Sequence, residues 1–216
     1  MNTSEIQGLP RLKRIFGKNM NIQDTDTPLV RSYIKEIDLF SDKILISLKN
    51  FGTKFYIGNI PVTGFPNNEH LTGITPRGWP KNIFWDIVAG CYAQETKSIY
   101  LGKGEHGSIS LVGHEVGHVI SDANIIPQKI LNKLQSTHKK YYERLTPYFK
   151  QTQIAFHNGK EKTSGFEEFI AESIGYIVSN SNRISSFPNS FDLEIIHEIM
   201  FTFKDFKLKK KVIKLK

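Results

Sequence analysis

A short motif at residues 114–118 contains the side chains most capable of chemistry, because it reads His-Glu-Val-Gly-His. On a helix, His114 and His118 are one turn apart and project from the same face, so their imidazoles can bind one zinc ion. Glu115 lies one residue further round the helix, where it can reach a water molecule on the metal. The motif therefore predicts one Zn²⁺ per chain, with Glu115 as the general base. Chance yields such a motif in about one chain in a hundred of this length. The motif alone therefore indicates the chemistry but does not identify a family.

A catalytic zinc ion usually has three protein ligands and one position for water, so a third ligand is needed. The candidates are His138, His157, Asp122, Glu167, Glu168 and Glu172. We favour Glu168, since Glu168 and Glu172 share the polar face of a predicted helix whose other face is apolar. Glu172 would then orient a ligand imidazole, and Asp122, one turn beyond His118, is a second candidate for such support. The alternative is a solvated acidic helix face, and we interpret His138 as a surface residue.

Two glycines, Gly113 and Gly117, lie within the predicted metal-binding helix. Each costs about 1 kcal/mol of helix stability relative to alanine. We therefore expect either another backbone or the substrate to approach this helix closely.

The predicted elements around the motif change in type along the chain. Hydrophobic periodicity predicts helices at about 28–40, 41–52, 108–121, 127–150, 165–180 and 191–205, and strands at 54–60 and 97–101. The segment 61–80 is rich in proline and glycine, which is typical of loops and turns. The predicted fold class is α+β, with a mixed α/β N-terminal subdomain containing a small sheet, the metal-binding helix, and an all-helical C-terminal subdomain.

Length, charge and cysteine content limit the classes of protein to consider. The chain has 216 residues, a net charge of +8 and one cysteine, Cys91, which excludes an internal disulfide and a cysteine-based zinc site. No apolar run is long enough to span a bilayer, and residues 1–25 contain no signal-peptide pattern. We therefore expect a cytoplasmic protein, or a secreted one if a leader was removed or export is leaderless. We interpret the lysine-rich C-terminus as a solvated end rather than a nucleic-acid or membrane surface.

Three motifs in the same order resemble the protease domain of anthrax lethal factor and, more closely, its smaller relatives the Pro-Pro endopeptidases. They are GITPRGW at 73–79, HEVGH at 114–118 and EEFIAES at 167–173. The resemblance covers about residues 28–205 and implies a zinc endopeptidase with a gluzincin-like fold. We accordingly predict a basic, flexible N-terminal segment (1–27), a metallopeptidase domain (28–205, divided into 28–122 and 123–205) and a basic tail (206–216).

The resemblance also implies a function for individual residues. It places the zinc ligands at His114, His118 and Glu168, the general base at Glu115, and substrate contacts at Trp79, Arg77 and Glu167. The sequence alone leaves core packing as an equal alternative for Trp79. The family's tyrosine that stabilises the tetrahedral intermediate aligns with Glu161, which cannot donate a hydrogen bond when ionised. His157, Tyr148 and Tyr176 are the alternatives for this donor.

These patterns predict a zinc endopeptidase acting on a peptide or protein substrate, with metal-activated water as nucleophile. Residues 88–97 differ from the family loop that selects proline, so proline-directed cleavage is one option among others. We expect the strand at 97–101 to pair with an extended substrate. Two alternatives are a zinc-bound module without catalytic activity and a DNA-associated peptidase that cleaves repressors. The sequence does not predict an oligomeric state.

Overall fold

The structure, a computed structural model, describes residues 6–76, 81–157, 160–179 and 190–209. The helices are α1 (Leu9–Phe16), α2 (Pro28–Ile37), α3 (Asp42–Phe51), α4 (Leu111–Asp122), α5 (Gln128–Lys140), α6 (Ser164–Ser179) and α7 (Leu193–Phe203). The strands are β1 (Met20–Ile22), β2 (Lys54–Ile57), β3 (Gly90–Ala93), β4 (Ser98–Leu101), β5 (Ile154–His157) and β6 (Lys160–Thr163). A small sheet lies in the N-terminal half and helices dominate the C-terminal half, so the predicted α+β class is confirmed.

The main sheet has the order β1-β2-β4-β3, in which β3 is the one antiparallel strand. We expected the strand at 97–101 to lie at an edge and pair with substrate, and this is wrong. That segment is β4, which lies between β2 and β3. All four of its residues are buried, as is typical of an interior strand. The edge strand next to β4 is β3, which the sequence analysis did not predict.

The helices α2 and α3 agree with the sequence pattern that predicted them. The Thr27 hydroxyl caps α2 by accepting a hydrogen bond from the backbone N–H of Val30. Ser41 caps α3 in the same way, and Gly52 ends this helix with a φ of 97°, a value that favours glycine. The helix α2 ends at Ile37, before the predicted residue 40, and α3 ends at Phe51, next to the predicted residue 52. Both helices bury their apolar faces.

Within the segment 1–27, which we expected to be flexible, the described residues from 6 onward contain α1 and β1. Leu9, Leu12 and Phe16 are buried, and the Phe16 ring lies edge-on to that of Phe55, 5.0 Å between centroids. Arg11 donates hydrogen bonds to the Asp38 carboxylate and to backbone carbonyls beyond it. The sequence analysis missed α1 because this helix is short and its narrow apolar face lies among basic residues. The domain limits themselves stay a prediction.

The C-terminal tail is also partly folded. Leu208 is 1% exposed, and its carbonyl accepts a 2.7 Å hydrogen bond from the backbone N–H of Ser41. The Ser41 hydroxyl donates to the carbonyl of Lys207 at 2.7 Å. Residues 206–209 therefore pack on the start of α3, and the rest of the predicted basic tail lies outside the described residues.

The C-terminal half is not entirely helical. The predicted helix at 127–150 ends at Lys140 and continues as two short 3-10 segments, Tyr142–Arg144 and Pro147–Lys150. Pro147 keeps Thr146 out of the helical region, so one continuous helix cannot extend to residue 150. The antiparallel pair β5 and β6 then precedes α6. Among the described helices, none is long and apolar enough to cross a membrane.

The central contact of the fold is between α4 and α6, and it explains the two glycines in the metal-binding helix. A Cβ atom on Gly113 would lie 2.7 Å from the Cα of Gly175. A Cβ atom on Gly117 would lie 2.7 Å from the Cα of Ala171. The close approach is therefore between two helix backbones, one of the two alternatives expected from the sequence.

Candidate active site

The first turn of α4 is fixed by Ser110 and by a carboxylate from α2. The Ser110 hydroxyl accepts a 2.9 Å hydrogen bond from the Gly113 N–H and donates a 2.7 Å hydrogen bond to Glu36. Burial raises the pKa of Glu36, and the bond from Ser110 offsets part of that rise. The sequence analysis did not identify this pair, because Glu36 lies 74 residues before Ser110 along the chain.

His114, His118 and Glu168 come together at the junction of α4 and α6. The Nε2 atoms of the two histidines are 3.2 Å apart. The Oε2 atom of Glu168 lies 3.2 Å from Nε2 of His114 and 3.4 Å from Nε2 of His118. Within the described residues these three side chains form the one group with metal-ligand chemistry and spacing. The structure thus brings together the three predicted ligands, which are far apart in sequence.

The separations within this group fit a tetrahedral zinc ion. Nitrogen and oxygen ligands about 2.0–2.2 Å from such an ion lie about 3.3–3.6 Å from one another. The three observed separations are 3.2, 3.2 and 3.4 Å, close to this range. The donor set, two imidazoles and one carboxylate, is also one that catalytic zinc sites use.

Glu172 supports the group from behind. Its Oε2 atom lies 3.1 Å from Nδ1 of His114, and its Oε1 atom accepts a 2.9 Å hydrogen bond from the Ile109 N–H. The carboxylate is fully buried. Because a carboxylate accepts, the proton of neutral His114 lies on Nδ1, which leaves the Nε2 lone pair directed at the other two side chains.

The charges of the group depend on one another. Burial would lower the pKa of His114, but hydrogen bonds to Glu168 and Glu172 raise it well above its usual value. Burial would raise the pKa of Glu168, but the two histidines hold it well below its usual value. In the protein alone, the cluster therefore favours an ionised Glu168 beside a protonated imidazole.

Glu115 faces the same cleft and is 6% exposed. Burial raises the pKa of its carboxyl, and the charges of His114 and His118 offset part of the rise. The backbone N–H of Tyr92 on β3 faces this carboxylate and lowers its pKa by a smaller amount. Glu115 thus lies between the metal-binding helix and the edge strand β3.

Tyr148 is the donor that the structure places beside the cluster. Its hydroxyl donates a 2.6 Å hydrogen bond to Oε2 of Glu168. Burial and the negative charge of Glu168 raise its pKa well above the usual value, so it is a neutral O–H donor at neutral pH. Tyr176 lies elsewhere, where its hydroxyl accepts from the Phe191 N–H. The side chains of His157 and Glu161 lie outside the described part of the chain.

These side chains line a cleft of about 500 Å³, within the range of small-molecule and peptide sites. Residues of α4, of β3 and of the start of α6 line it, together with Tyr148. Four glutamates line the cleft, Glu105, Glu115, Glu167 and Glu168. The cleft therefore concentrates negative charge in a protein whose net charge is +8.

The remaining predicted site residues have different positions. Glu167 lines the cleft, and its Oε1 atom accepts a 3.1 Å hydrogen bond from Ser121. Trp79 and Arg77 lie outside the described residues, while another tryptophan, Trp85, lines the cleft. His138, which we interpreted as a surface residue, is partly buried, and its Nε2 donates a 2.8 Å hydrogen bond to the Phe149 carbonyl next to Tyr148.

Asp122 lies at the end of α4 and is 3% exposed. Its Oδ2 atom accepts a 2.6 Å hydrogen bond from the Tyr92 hydroxyl, and Oδ1 accepts one of 3.2 Å from the amide of Gln94. Both donors belong to β3 or the residue that follows it. The sequence analysis missed Tyr92 and Gln94 because it did not predict this strand.

Comparisons with known proteins agree with this architecture. A family model described as anthrax toxin lethal factor, N- and C-terminal domain, matches residues 13–186. A Pro-Pro endopeptidase from Paenibacillus alvei is 23% identical over 155 residues, which cover 69% of this chain and 66% of the relative, just under two thirds of its length. The solved structure of the Paenibacillus alvei Pro-Pro endopeptidase is similar in fold, with a TM-score of 0.54 and 19% identity over 89% of this chain and 100% of that chain. Since the family model matches well over half of the sequence, the chain belongs to the anthrax toxin lethal factor family.

Proposed function

We propose that this protein is a zinc-dependent endopeptidase. The observation that carries the proposal is the convergence of His114, His118 and Glu168, with ligand atoms 3.2–3.4 Å apart, beside Glu115 in one cleft. A relative that bears the name Pro-Pro endopeptidase supports a peptidase rather than another metal-dependent hydrolase. Zinc bound by the three side chains would supply Lewis-acid chemistry, lowering the pKa of a water molecule and polarising a carbonyl group.

The chain's own residues would move the protons. Glu115 is the general base in this proposal: it takes a proton from the attacking water and delivers it to the nitrogen of the leaving amine. Its raised pKa matches this task, since the carboxyl must hold the proton between the two steps. The Tyr92 N–H beside this carboxylate favours its ionised form, which is the form that accepts the first proton.

Tyr148 would stabilise the oxyanion that forms when water adds to the peptide carbonyl. Its hydroxyl is 2.6 Å from the Glu168 oxygen that faces the two histidines, so a small rotation directs it to a substrate oxygen at the same place. This supports Tyr148 over Tyr176 as the replacement for the family tyrosine at Glu161. A hydroxyl at this position supports turnover over a zinc-bound module without activity.

We propose that the substrate is an extended peptide that pairs with the free edge of β3, and that cleavage is directed to proline. The edge position of β3 and its place on the cleft wall support the first part. The relative's name supports the second part, together with Glu167 and Trp85 in the cleft. Trp79 and Arg77 remain proposed substrate contacts.

The test combines metal analysis with digestion of a quenched fluorescent peptide library that includes Pro-Pro and Ala-Ala sites. We expect about one zinc per chain, cleavage by the native protein with preference for Pro-Pro, and loss of turnover of about a hundredfold to ten-thousandfold in Glu115→Gln. The amide oxygen of this variant can still accept from Tyr92, so the fold and the zinc should be retained. Glu143→Gln is the matched control, since the Glu143 side chain is 94% exposed.

The other outcomes identify the alternatives. Zinc without turnover of any peptide would support the inactive binding module. Cleavage only after DNA is added would support the DNA-associated peptidase. Turnover retained in Glu115→Gln would refute the proposed base, and a protein without zinc would refute the metal site.

A further inference from the structure

Asp122 and Tyr92 connect the end of the metal-binding helix to the edge strand. Glu115 and Asp122 are seven residues apart, so they lie on the same face of α4 and about 10 Å apart along its axis. Tyr92 lies beside both: its N–H faces the Glu115 carboxylate, and its hydroxyl donates a hydrogen bond to Asp122 at 2.6 Å. The Tyr92 side chain therefore runs along two turns of the helix.

The pairing of β3 with β4 shows which backbone groups of β3 point away from β4. Gly90 pairs with Leu101 and Tyr92 with Ile99, and the Gly102 N–H donates to the carbonyl of Ala89. In an antiparallel ladder this pattern directs the backbone groups of Gly90 and Tyr92 away from β4 and toward the cleft. Tyr92 thus lies at the point where a bound peptide would meet both β3 and Glu115.

The position of Asp122 is unfavourable for a carboxylate unless something compensates. It is 3% exposed and lies at the C-terminal end of α4, where the helix dipole disfavours negative charge. Its two oxygens accept hydrogen bonds from Tyr92 and Gln94, on either side of the end of β3. These two hydrogen bonds connect the end of α4 to β3.

We propose that Asp122 and Tyr92 form a register clamp that fixes β3 against Glu115, so that a peptide pairing with β3 is presented to the general base in one register. The proposal rests on the proposed function for its substrate. A slip of one residue in such a pairing exchanges every side chain between the two faces of the strand. Asp122 is then a positioning residue for the substrate.

The experiment uses Tyr92→Phe in the full, zinc-loaded chain, because this variant removes only the hydroxyl and keeps the ring and the N–H. Two quenched fluorescent peptides share one Pro-Pro site: the long one has four residues on each side, and the short one has a single residue on each side. Tyr33→Phe is the matched control, since it removes a buried 2.9 Å hydrogen bond to the Gly102 carbonyl away from the cleft.

We expect KM for the long peptide to rise about tenfold in Tyr92→Phe, the size of one hydrogen bond to a charged group. The rise in KM should be at least about threefold smaller for the short peptide, zinc affinity should stay within about twofold of the native protein, and Tyr33→Phe should change none of these. Equal losses for both peptides, or a fall in zinc affinity, would overturn the clamp in favour of a structural or metal-supporting role.

A second measurement does not depend on turnover. Amide hydrogen exchange of residues 90–94 should be faster in zinc-loaded Tyr92→Phe than in the native protein, and unchanged in Tyr33→Phe. If the native protein cleaves no peptide, the proposed function fails while the exchange rates still decide on the clamp. Unchanged exchange in Tyr92→Phe would refute it.

Discussion

Two groups of paired charges in this protein have similar distances and opposite surroundings. In the cleft, His114 and Glu172 are 3.1 Å apart and their side chains are 6% and 0% exposed. On the surface between α5 and α7, Lys140 and Glu198 are 2.7 Å apart and are 55% and 32% exposed. Arg144 forms further pairs with Asp192 and Glu194 beside them.

Burial decides what each group can do. Exposed pairs are screened by water and ions, and they contribute little to stability however short the distance. Buried charges interact strongly with their neighbours, and removing one partner leaves the other uncompensated. The pKa shifts of His114 and Glu168 therefore reflect strong interactions between buried groups. The surface group mainly connects two helices.

The largest effect is expected for Glu168→Gln. The change removes the negative charge that both histidines face at 3.2 and 3.4 Å, and it weakens the proposed ligand. We expect zinc affinity to fall by more than about a hundredfold, beyond the loss typical of residues that only support a ligand, and turnover to be lost. Competition with a chromogenic chelator measures the affinity, and an unchanged affinity would contradict the assignment of Glu168 as a ligand.

Tyr148→Phe should reduce kcat by about a hundredfold, since it removes the hydroxyl that we propose as the donor to the oxyanion. Zinc affinity and KM should change little. The control is Tyr142→Phe, because the Tyr142 hydroxyl donates to the Lys150 carbonyl of the same segment without facing the cleft group. Steady-state kinetics of both variants test this, and equal losses would indicate that the tyrosines only hold the segment in place.

Gly117→Ala should destabilise the fold by about 1–3 kcal/mol, the usual cost of overpacking. The added Cβ would lie 2.7 Å from the Cα of Ala171 and 2.9 Å from its carbonyl oxygen, so backbone must move. Gly175→Ala is the matched control on the facing helix. Its Cβ would meet Ile109 and Ser110 at 3.4 Å and beyond, which is ordinary contact.

The control should be neutral, or more stable by up to about 1 kcal/mol from helix propensity. Urea unfolding of the two variants measures the difference. Equal stability of Gly117→Ala and the native protein would show that α4 and α6 are further apart than described.

The smallest effect is expected for Arg144→Ala, which removes the exposed ion pairs with Asp192 and Glu194. The urea midpoint should move slightly downward at low salt, the shift should shrink at high salt, and turnover should be unchanged. A large shift that persists in high salt would overturn the contrast between the buried and exposed groups.

The sequence predicted the fold class, the family and the helices that carry the metal-binding group, because each depends on local patterns. HEVGH has helical spacing, and Glu168 and Glu172 share a helix face opposite apolar residues. The prediction failed where the local pattern was short or masked by charge. It missed α1, whose apolar face lies among basic residues, and β3, which has four residues and one paired neighbour.

The sequence by itself determined which residue types were available for metal binding and acid–base chemistry, because these follow from side-chain chemistry and spacing within one helix. Tertiary structure decided which of them meet. It placed Tyr148 at Glu168, 20 residues away in the chain, and joined Asp122 to Tyr92, 30 residues away. Contacts between elements depend on how sheet and helices pack, and no spacing within a single element specifies them.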